Sequence, residues 1–313
     1  MTPRLLVSVV TPSYNQAQFL EETILSVLNQ SYPRVEYHVM DGGSTDGSVG
    51  ILKKYSDRMA SWVSEKDKGQ ADAINRGWRK SSGDILAYLN ADDQYKPGAI
   101  AAAAGYFEKH PEAGIVYGSC GSFFTGQPEE RTYSPPEFSL KRLLFENFIP
   151  QPTVFIRRQV LDKIGVLDLS LRYCLDYDLW LRAAAHGIVF GRVEGPPMAR
   201  FRLWTGSKTS SDPEGWAKER LQVLEQLFSD NSVFEKLQPL KKYAQARGYV
   251  TVAYSANLCG DSGLARRYLR KAFSTTPAIV RDSQFWRVGG GSLLGGTASR
   301  RLRRWAWSLK GQG

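Results

Sequence analysis

The 313-residue sequence predicts an α/β fold, a doubly wound and mostly parallel sheet with a helical region appended at its C-terminal end. Three observations carry that expectation. Short apolar runs alternate with helically spaced apolar residues over the first 118 or so positions, the pattern of strand–helix–strand units. Three of those runs stop abruptly in polar motifs: Thr11-Pro12-Ser13, Asp41-Gly42-Gly43-Ser44-Thr45-Asp46 and Asn90-Ala91-Asp92-Asp93. In open α/β sheets, ligands bind at such strand ends. Beyond Asp212-Pro213 the strand pattern gives way to helical spacing.

Taken in order, Leu5 to Val10 reads as a strand ended by a Pro turn. From Asn15, the residues Phe19, Leu20, Ile24, Val27 and Leu28 recur at helical spacing, and Pro33 stops that helix. Val35 to Met40 is a second strand, completing a βαβ unit with a right-handed crossover. Ser48 to Tyr55 reads as a helix and Ala60 to Ser64 as a weak strand. Ala71 to Lys80 is a helix with its polar residues spaced by three or four. Ile85 to Leu89 is a buried strand that opens into two adjacent carboxylates. Adjacent carboxylates repel, so a fold that holds them together supplies a cation or a hydrogen-bonding ligand.

Pro97 starts a helix reaching about Lys109, and Ile115 to Gly118 is a strand. Gly121 to Pro136 carries Gly, Pro and charge and is expected to be a loop near the cleft. A short helix at Ser139 to Glu146, a strand ending at Ile156, a helix to Ile164, a helix from about Asp176 to His186 and a strand at Ile188 to Val193 follow. Gly195 to Ser211 reads as loop. Tyr243 to Leu258 and Ser262 to Phe273 form a helical hairpin broken at Gly260-Asp261; its Ala and Tyr spacing resembles one tetratricopeptide unit. Gly289 to Gly296 is expected to be a flexible linker. Three regions result: 1–211, 212–288, and a linker with a basic amphipathic tail at 289–313.

Composition narrows the chemistry. Apolar residues make up 42% and charged residues 23%, values ordinary for a soluble globular chain. Cys120, Cys174 and Cys259, and His38, His110 and His186, are scattered, without metal spacing or a disulfide framework. Any metal is therefore expected to be hard and oxygen-ligated. No run approaches the length of a membrane helix. The apolar N-terminal stretch is short and followed by Pro12, so no signal peptide is expected, and a cytoplasmic location is the reading. From Lys241 onward there are 14 Lys/Arg against 2 Asp/Glu, whereas the preceding residues carry 27 against 29. That asymmetry points to an anionic partner for the C-terminal segment alone. Arg300 to Lys310 interleaves five basic residues with Leu302, Trp305, Trp307 and Leu309, a pattern that suits the anionic inner face of a membrane. No nucleic-acid-binding motif accompanies it.

The strand ends Thr11-Pro12-Ser13-Tyr14-Asn15, Asp41 to Asp46 and Asn90 to Asp93 stand in order with a later Asp176-Tyr177-Asp178-Leu179-Trp180-Leu181-Arg182. Together they resemble the family 2 glycosyltransferases of GT-A fold, of the cell-surface polysaccharide and O-antigen biosynthesis type, over about residues 5 to 205. The resemblance implies an inverting transferase. It would move a sugar from a nucleotide-sugar, UDP- or dTDP-linked, to a hydroxyl of a saccharide or lipid-linked acceptor, with Mn²⁺ or Mg²⁺ on the diphosphate.

Residue by residue, the resemblance makes Asp92 the metal-ligating Asp of a DXD-like motif. Asp93 becomes either a second ligand or an orienting group. Asn90 replaces the acid that often meets the ribose, and an amide retains hydrogen-bonding capacity there. Thr11, Pro12 and Tyr14 match the base-binding loop and Asp41 the uracil contact. Gly69, Gln70, Asp72 and Asn75 match the segment lining the nucleotide or sugar. Asp176 is the expected general base, with Asp178 its rival. Gln151 and Trp180 fall on the acceptor side. Relatives often carry His where Trp204 stands, so Arg202 and Lys208 are candidates to neutralise the diphosphate. The competing reading is a non-catalytic nucleotide-sugar-binding or scaffold protein of the same fold.

Overall fold

A computed structural model of the chain describes residues 4–126, 129–204, 212–229 and 235–293. The chain divides into two compact units, Met1–Leu143 with Asn147–Trp204, and Leu144–Glu146 with Thr205–Gly313. Among the described residues no helix is long and apolar enough to cross a membrane.

The first unit is built on a seven-stranded sheet. Its strands are β1 (Val7–Ser13), β2 (Val35–Asp41), β3 (Ser61–Ser64), β4 (Ile85–Tyr88), β6 (Ala113–Gly118), β9 (Phe155–Arg157) and β10 (Val189–Val193). They lie in the order β10-β6-β9-β4-β1-β2-β3. Every pairing is parallel except those of β9, which runs antiparallel to β4 and β6. Parallel strands are covered on both faces, and all seven residues of β1 and all four of β4 are buried. On one face, Val7, Val9, Tyr37, Val39 and Ala87 share a core with α1 (Ala17–Leu28) and α4 (Ala99–Lys109). On the other lies α3 (Gln70–Lys80). A Cβ on its Gly77 would stand 2.5 Å from a Val10 methyl and 3.2 Å from Met40, so a glycine is needed for the helix to pack this closely. The mixed α/β fold with a mostly parallel, doubly wound sheet is thus present.

Register aligns the motifs. Ser13 of β1 pairs with Asp41 of β2, and Val10 pairs with Tyr88 of β4. The three polar motifs therefore leave the sheet along one edge. Further helices are α2 (Ser48–Lys54), α5 (Leu140–Phe145), α6 (Arg158–Ile164) and α7 (Leu175–Ala185).

Two stretches expected to be loops contain strands. A second, four-stranded sheet runs β5-β11-β7-β8, comprising β5 (Gln94–Tyr95), β7 (Cys120–Phe124), β8 (Glu130–Tyr133) and β11 (Ala199–Leu203). These strands are short, and β8 is largely exposed, so they lack the apolar run that marks a central strand. In β11, arginine alternates with apolar residues. The charges are tolerated because both guanidiniums lie over the Phe123 ring, at 4.4 Å for Arg200 and 4.6 Å for Arg202.

In the second unit, α8 (Pro213–Ser229), α9 (Lys241–Cys259), α10 (Ser262–Thr275) and α11 (Ser283–Leu293) pack around small residues, Ala217, Ala246, Ala253, Ala256, Ala265 and Ala272. Gly260, left-handed at φ 86°, ends α9. The Asp261 carboxylate then accepts the Leu264 N–H at 2.8 Å and starts α10. The expected helical hairpin is therefore present. The described part of the expected linker at Gly289 to Gly296 is helix instead: α11 runs through Gly289 and Gly290. Val288 is buried, and its carbonyl accepts the Asn257 amide at 2.9 Å. Tertiary packing outweighs the low helix propensity of glycine here. The tail from residue 294 onward lies outside the described residues.

Candidate active site

The carboxyl end of β4 carries Asn90, Asp92 and Asp93. Thr23 of α1, fully buried, shares its hydroxyl proton between the carbonyls of Ala91 (2.9 Å) and Asp93 (2.7 Å), and so pins the acidic turn. Asn90 is a hub. Its Oδ1 accepts Gln70 Nε2 at 2.7 Å, and its Nδ2 donates to Asp93 Oδ2 at 3.2 Å and Gln151 Oε1 at 3.3 Å. Gln151 in turn donates to the Tyr88 carbonyl at 2.9 Å. Gln70, Asn90, Asp93 and Gln151 thus meet in one network.

Asp93 is buried and accepts the Arg202 backbone N–H at 3.2 Å. Burial, reinforced by the neighbouring Asp92 charge, pushes its carboxyl well above the usual range; the Arg202 N–H and the Asn90 amide pull the other way. Asp92 is half-buried. Its Oδ2 accepts the Trp204 indole N–H at 2.9 Å, and its Oδ1 accepts no hydrogen bond among the described residues. Those residues hold no cluster of three or more His, Cys, Asp or Glu that could bind a metal. The donor set still fits a hard cation that completes its shell from a diphosphate and water: Mg²⁺ characteristically takes one or two carboxylates together with substrate phosphates. Asp92 Oδ1 is the available oxygen for it.

The β1 and β2 ends interlock. Asn15, at φ 51°, accepts the Thr45 N–H and donates its own N–H to Ser44. Asp41 is 2% exposed. Both its oxygens are engaged, by the N–H groups of Gly43 and Ser44 and the hydroxyls of Ser44 and Ser64. Its carboxylate shapes the turn. Thr11 is buried and accepts the Tyr37 hydroxyl at 3.0 Å, and Pro12 is buried beside it. Tyr14, by contrast, is 62% exposed. Gly69, at φ 109°, is the residue before α3, and Asp72 accepts the Lys68 N–H at 3.1 Å.

On the acceptor side, Asp176 lies in the first turn of α7. Its carboxylate accepts the Asn147 amide at 2.9 Å and the Tyr177 N–H at 2.8 Å. Burial raises its carboxyl above the ordinary aspartate range, against the pull of those two donors. Tyr88, the last residue of β4, is buried. Burial pushes its phenol well above the usual value, and the charges of Asp176 and Asp93 both add to the effect.

Several expected site residues have other work. Asn75 is buried and clamps Leu167, donating to its carbonyl at 2.8 Å and accepting its N–H at 3.1 Å. Asp178 pairs with Arg182 at 2.7 Å, and that guanidinium also holds the carbonyls of Ile164 and Val166. Trp180 is fully buried, which makes it core and not a platform. Arg202 is 7% exposed. Its guanidinium pairs with Glu22 at 2.7 Å, donates to the Asp92 carbonyl at 3.3 Å and lies 4.4 Å from the Phe19 ring centroid, so it braces the acidic turn from behind. Lys208 lies outside the described residues. Thr23, Glu22 and Asn147 were not evident from sequence, since no motif marks them; only the fold brings them to the acids.

The sequence profile of Glycosyl transferase family 2 matches residues 8–165. An uncharacterized glycosyltransferase of Mycobacterium tuberculosis is 34% identical over 59% of this chain and 71% of its own length. A putative teichuronic acid biosynthesis glycosyltransferase, TuaG of Bacillus subtilis, is 30% identical over 66% of this chain and 82% of its own. Among solved structures, Staphylococcus aureus TarS residues 1–349 in complex with UDP-GlcNAc superposes with a TM-score of 0.65 at 15% identity, over 96% of this chain and 92% of that one. The mannosyltransferase PcManGT of Pyrobaculum calidifontis, in complex with GDP-Man and Mn²⁺, superposes with a TM-score of 0.62 at 17% identity, over 97% and 88%. The fold is that of these GT-A glycosyltransferases.

Proposed function

The chain belongs to glycosyl transferase family 2, and from that premise we propose that it is an inverting glycosyltransferase acting from a nucleotide-sugar on an acceptor hydroxyl. The observation that carries this reading is the polar network at the end of β4, where Asn90 joins Gln70, Asp93 and Gln151 beside Asp92, together with Asp176 in the first turn of α7, held by the Asn147 amide. One half would hold the donor diphosphate, the other the acceptor.

In this mechanism Asp176 takes the proton of the acceptor hydroxyl. The acceptor oxygen forms its bond to the anomeric carbon while the bond from that carbon to the diphosphate oxygen breaks on the opposite face. An α-linked donor therefore yields a β-linked product. The raised pKa of Asp176 suits a base, because a stronger base takes a proton more readily once it is ionised. Asp92 would hold a divalent cation, Mn²⁺ or Mg²⁺, through Oδ1, and that cation would offset the charge developing on the leaving diphosphate. Asn90 and Gln70 line the turn behind Asp93. Tyr14, exposed at the end of β1, offers a ring for the base.

The donor is taken as UDP- or dTDP-linked. A saccharide or lipid-linked acceptor is supported by the teichuronic acid relative and by the basic, Trp-bearing tail, which would rest the protein on the inner face of the membrane.

A thermal-shift screen of nucleotide-sugars with Mn²⁺ or Mg²⁺ tests the donor half. At least one donor raises the melting temperature in a metal-dependent way, and Asp92→Ala abolishes the shift. Absence of a shift with every donor overturns the reading. The alternative, a non-catalytic nucleotide-sugar binder, predicts the same shift without hydrolysis of the donor.

A further inference from the structure

The indole of Trp204 occupies one oxygen of the carboxylate assigned to the cation, and this contact is built into the fold. Trp204 follows β11 directly. Two ladder pairs tie β11 to β5, Ala199 with Tyr95 and Arg200 with Gln94, and β5 itself follows Asp92-Asp93. Arg202 then fastens the same two segments twice, through its N–H to Asp93 Oδ1 and its Nε to the Asp92 carbonyl. Glu22 of α1 accepts from both Arg202 and Gln94. The Trp204 ring stands edge-on to Phe19, centroid to centroid 5.2 Å. With backbone and ring both fixed, its N–H meets Asp92 Oδ2 at 2.9 Å.

We propose that Trp204 is a positioning residue: its N–H holds Asp92 Oδ2, so that Asp92 offers the cation only Oδ1 and binds it through a single oxygen. The inference rests on the assignment of Asp92 as metal ligand. An indole N–H is a donor only, so Trp204 cannot be a ligand itself. It fixes the carboxylate's rotation and keeps the second oxygen from chelating. Partners that orient a metal-binding carboxylate in this way typically contribute about 10- to 100-fold to metal affinity.

The test is Mn²⁺ binding, read from the EPR signal of the free ion, in the presence of UDP, for the full chain and for Trp204→Phe, Trp204→Gln and Asp92→Ala. Trp204→Phe keeps a ring against Phe19 and loses only the donor, and should weaken Mn²⁺ about 10-fold. Trp204→Gln, which restores an N–H, should recover part of that loss. Unchanged or tighter Mn²⁺ binding by Trp204→Phe overturns the proposal, since the indole would then be idle or a competitor. Should Trp204→Phe fail to fold, a Trp204→Gln affinity as low as that of Asp92→Ala overturns it equally. If the wild-type chain and Asp92→Ala bind Mn²⁺ alike, it is the metal assignment of Asp92 that fails.

Discussion

Asp176 and Asp178 sit two residues apart on one helix, and their surroundings divide them. Asp178 pairs with Arg182 at 2.7 Å, so its carboxylate is occupied, even though burial raises its carboxyl above the ordinary aspartate range against the pull of that guanidinium. Among the described residues Asp176 accepts from neutral donors, Asn147 and the Tyr177 N–H. A base needs a carboxylate free to take a proton, so Asp176→Asn should lower turnover by about 100-fold or more while leaving donor binding intact. Because burial raises its pKa above the ordinary aspartate value of 3.8, the acid limb of the kcat/KM profile should lie above that value. Activity falls as pH drops through it and the base is protonated. The same shift fixes the sign for stability. A carboxyl whose pKa is raised by folding favours the folded state when protonated and costs stability once pH rises through that pKa. Asp176→Asn should therefore melt no lower than the wild-type chain at pH 8, which separates loss of a base from loss of structure.

At the scale of elements, the site is held by pieces far apart in sequence. Thr23 lies 68 and 70 residues from the carbonyls it binds, and Arg202 lies 180 residues from Glu22. Thr23→Val keeps the shape of the side chain and strips both carbonyls of their donor. It should cost about 1–3 kcal/mol in urea unfolding, with a fall in donor affinity because the acidic turn loosens. These separations explain what could be read in advance. The parallel strands β1, β2 and β4 were legible because burial on both faces makes them apolar runs, and each ends where its motif begins. The helical hairpin at Gly260-Asp261 was legible from its stop and start signals. The second sheet was not, because β5 has two residues and β11 carries two arginines whose partners are invisible in sequence. For the same reason Asn75 and Arg202 read as ligand contacts. Each has the right residue type on the right element, but Leu167 and Glu22 engage them first. Gly289 and Gly290 read as a linker because propensity was not outweighed by any local signal for the packing of Val288.

For the whole molecule, the charge asymmetry and the interleaved tryptophans make a separable claim about the tail. Vesicles containing anionic lipid should float the full chain, and deletion of residues 300–313 should leave it at the bottom of the gradient. Equal flotation of both would refute the anchor without touching the catalytic reading. That reading depends on the strand-end acids holding the donor while Asp176 deprotonates the hydroxyl that attacks it. It is tested most directly by following donor breakdown by proton NMR, with Mn²⁺ present and an α-linked nucleotide-sugar selected by thermal shift. The sugar released or transferred should appear first as the β anomer, and an initial α anomer would contradict inversion by an Asp176 base.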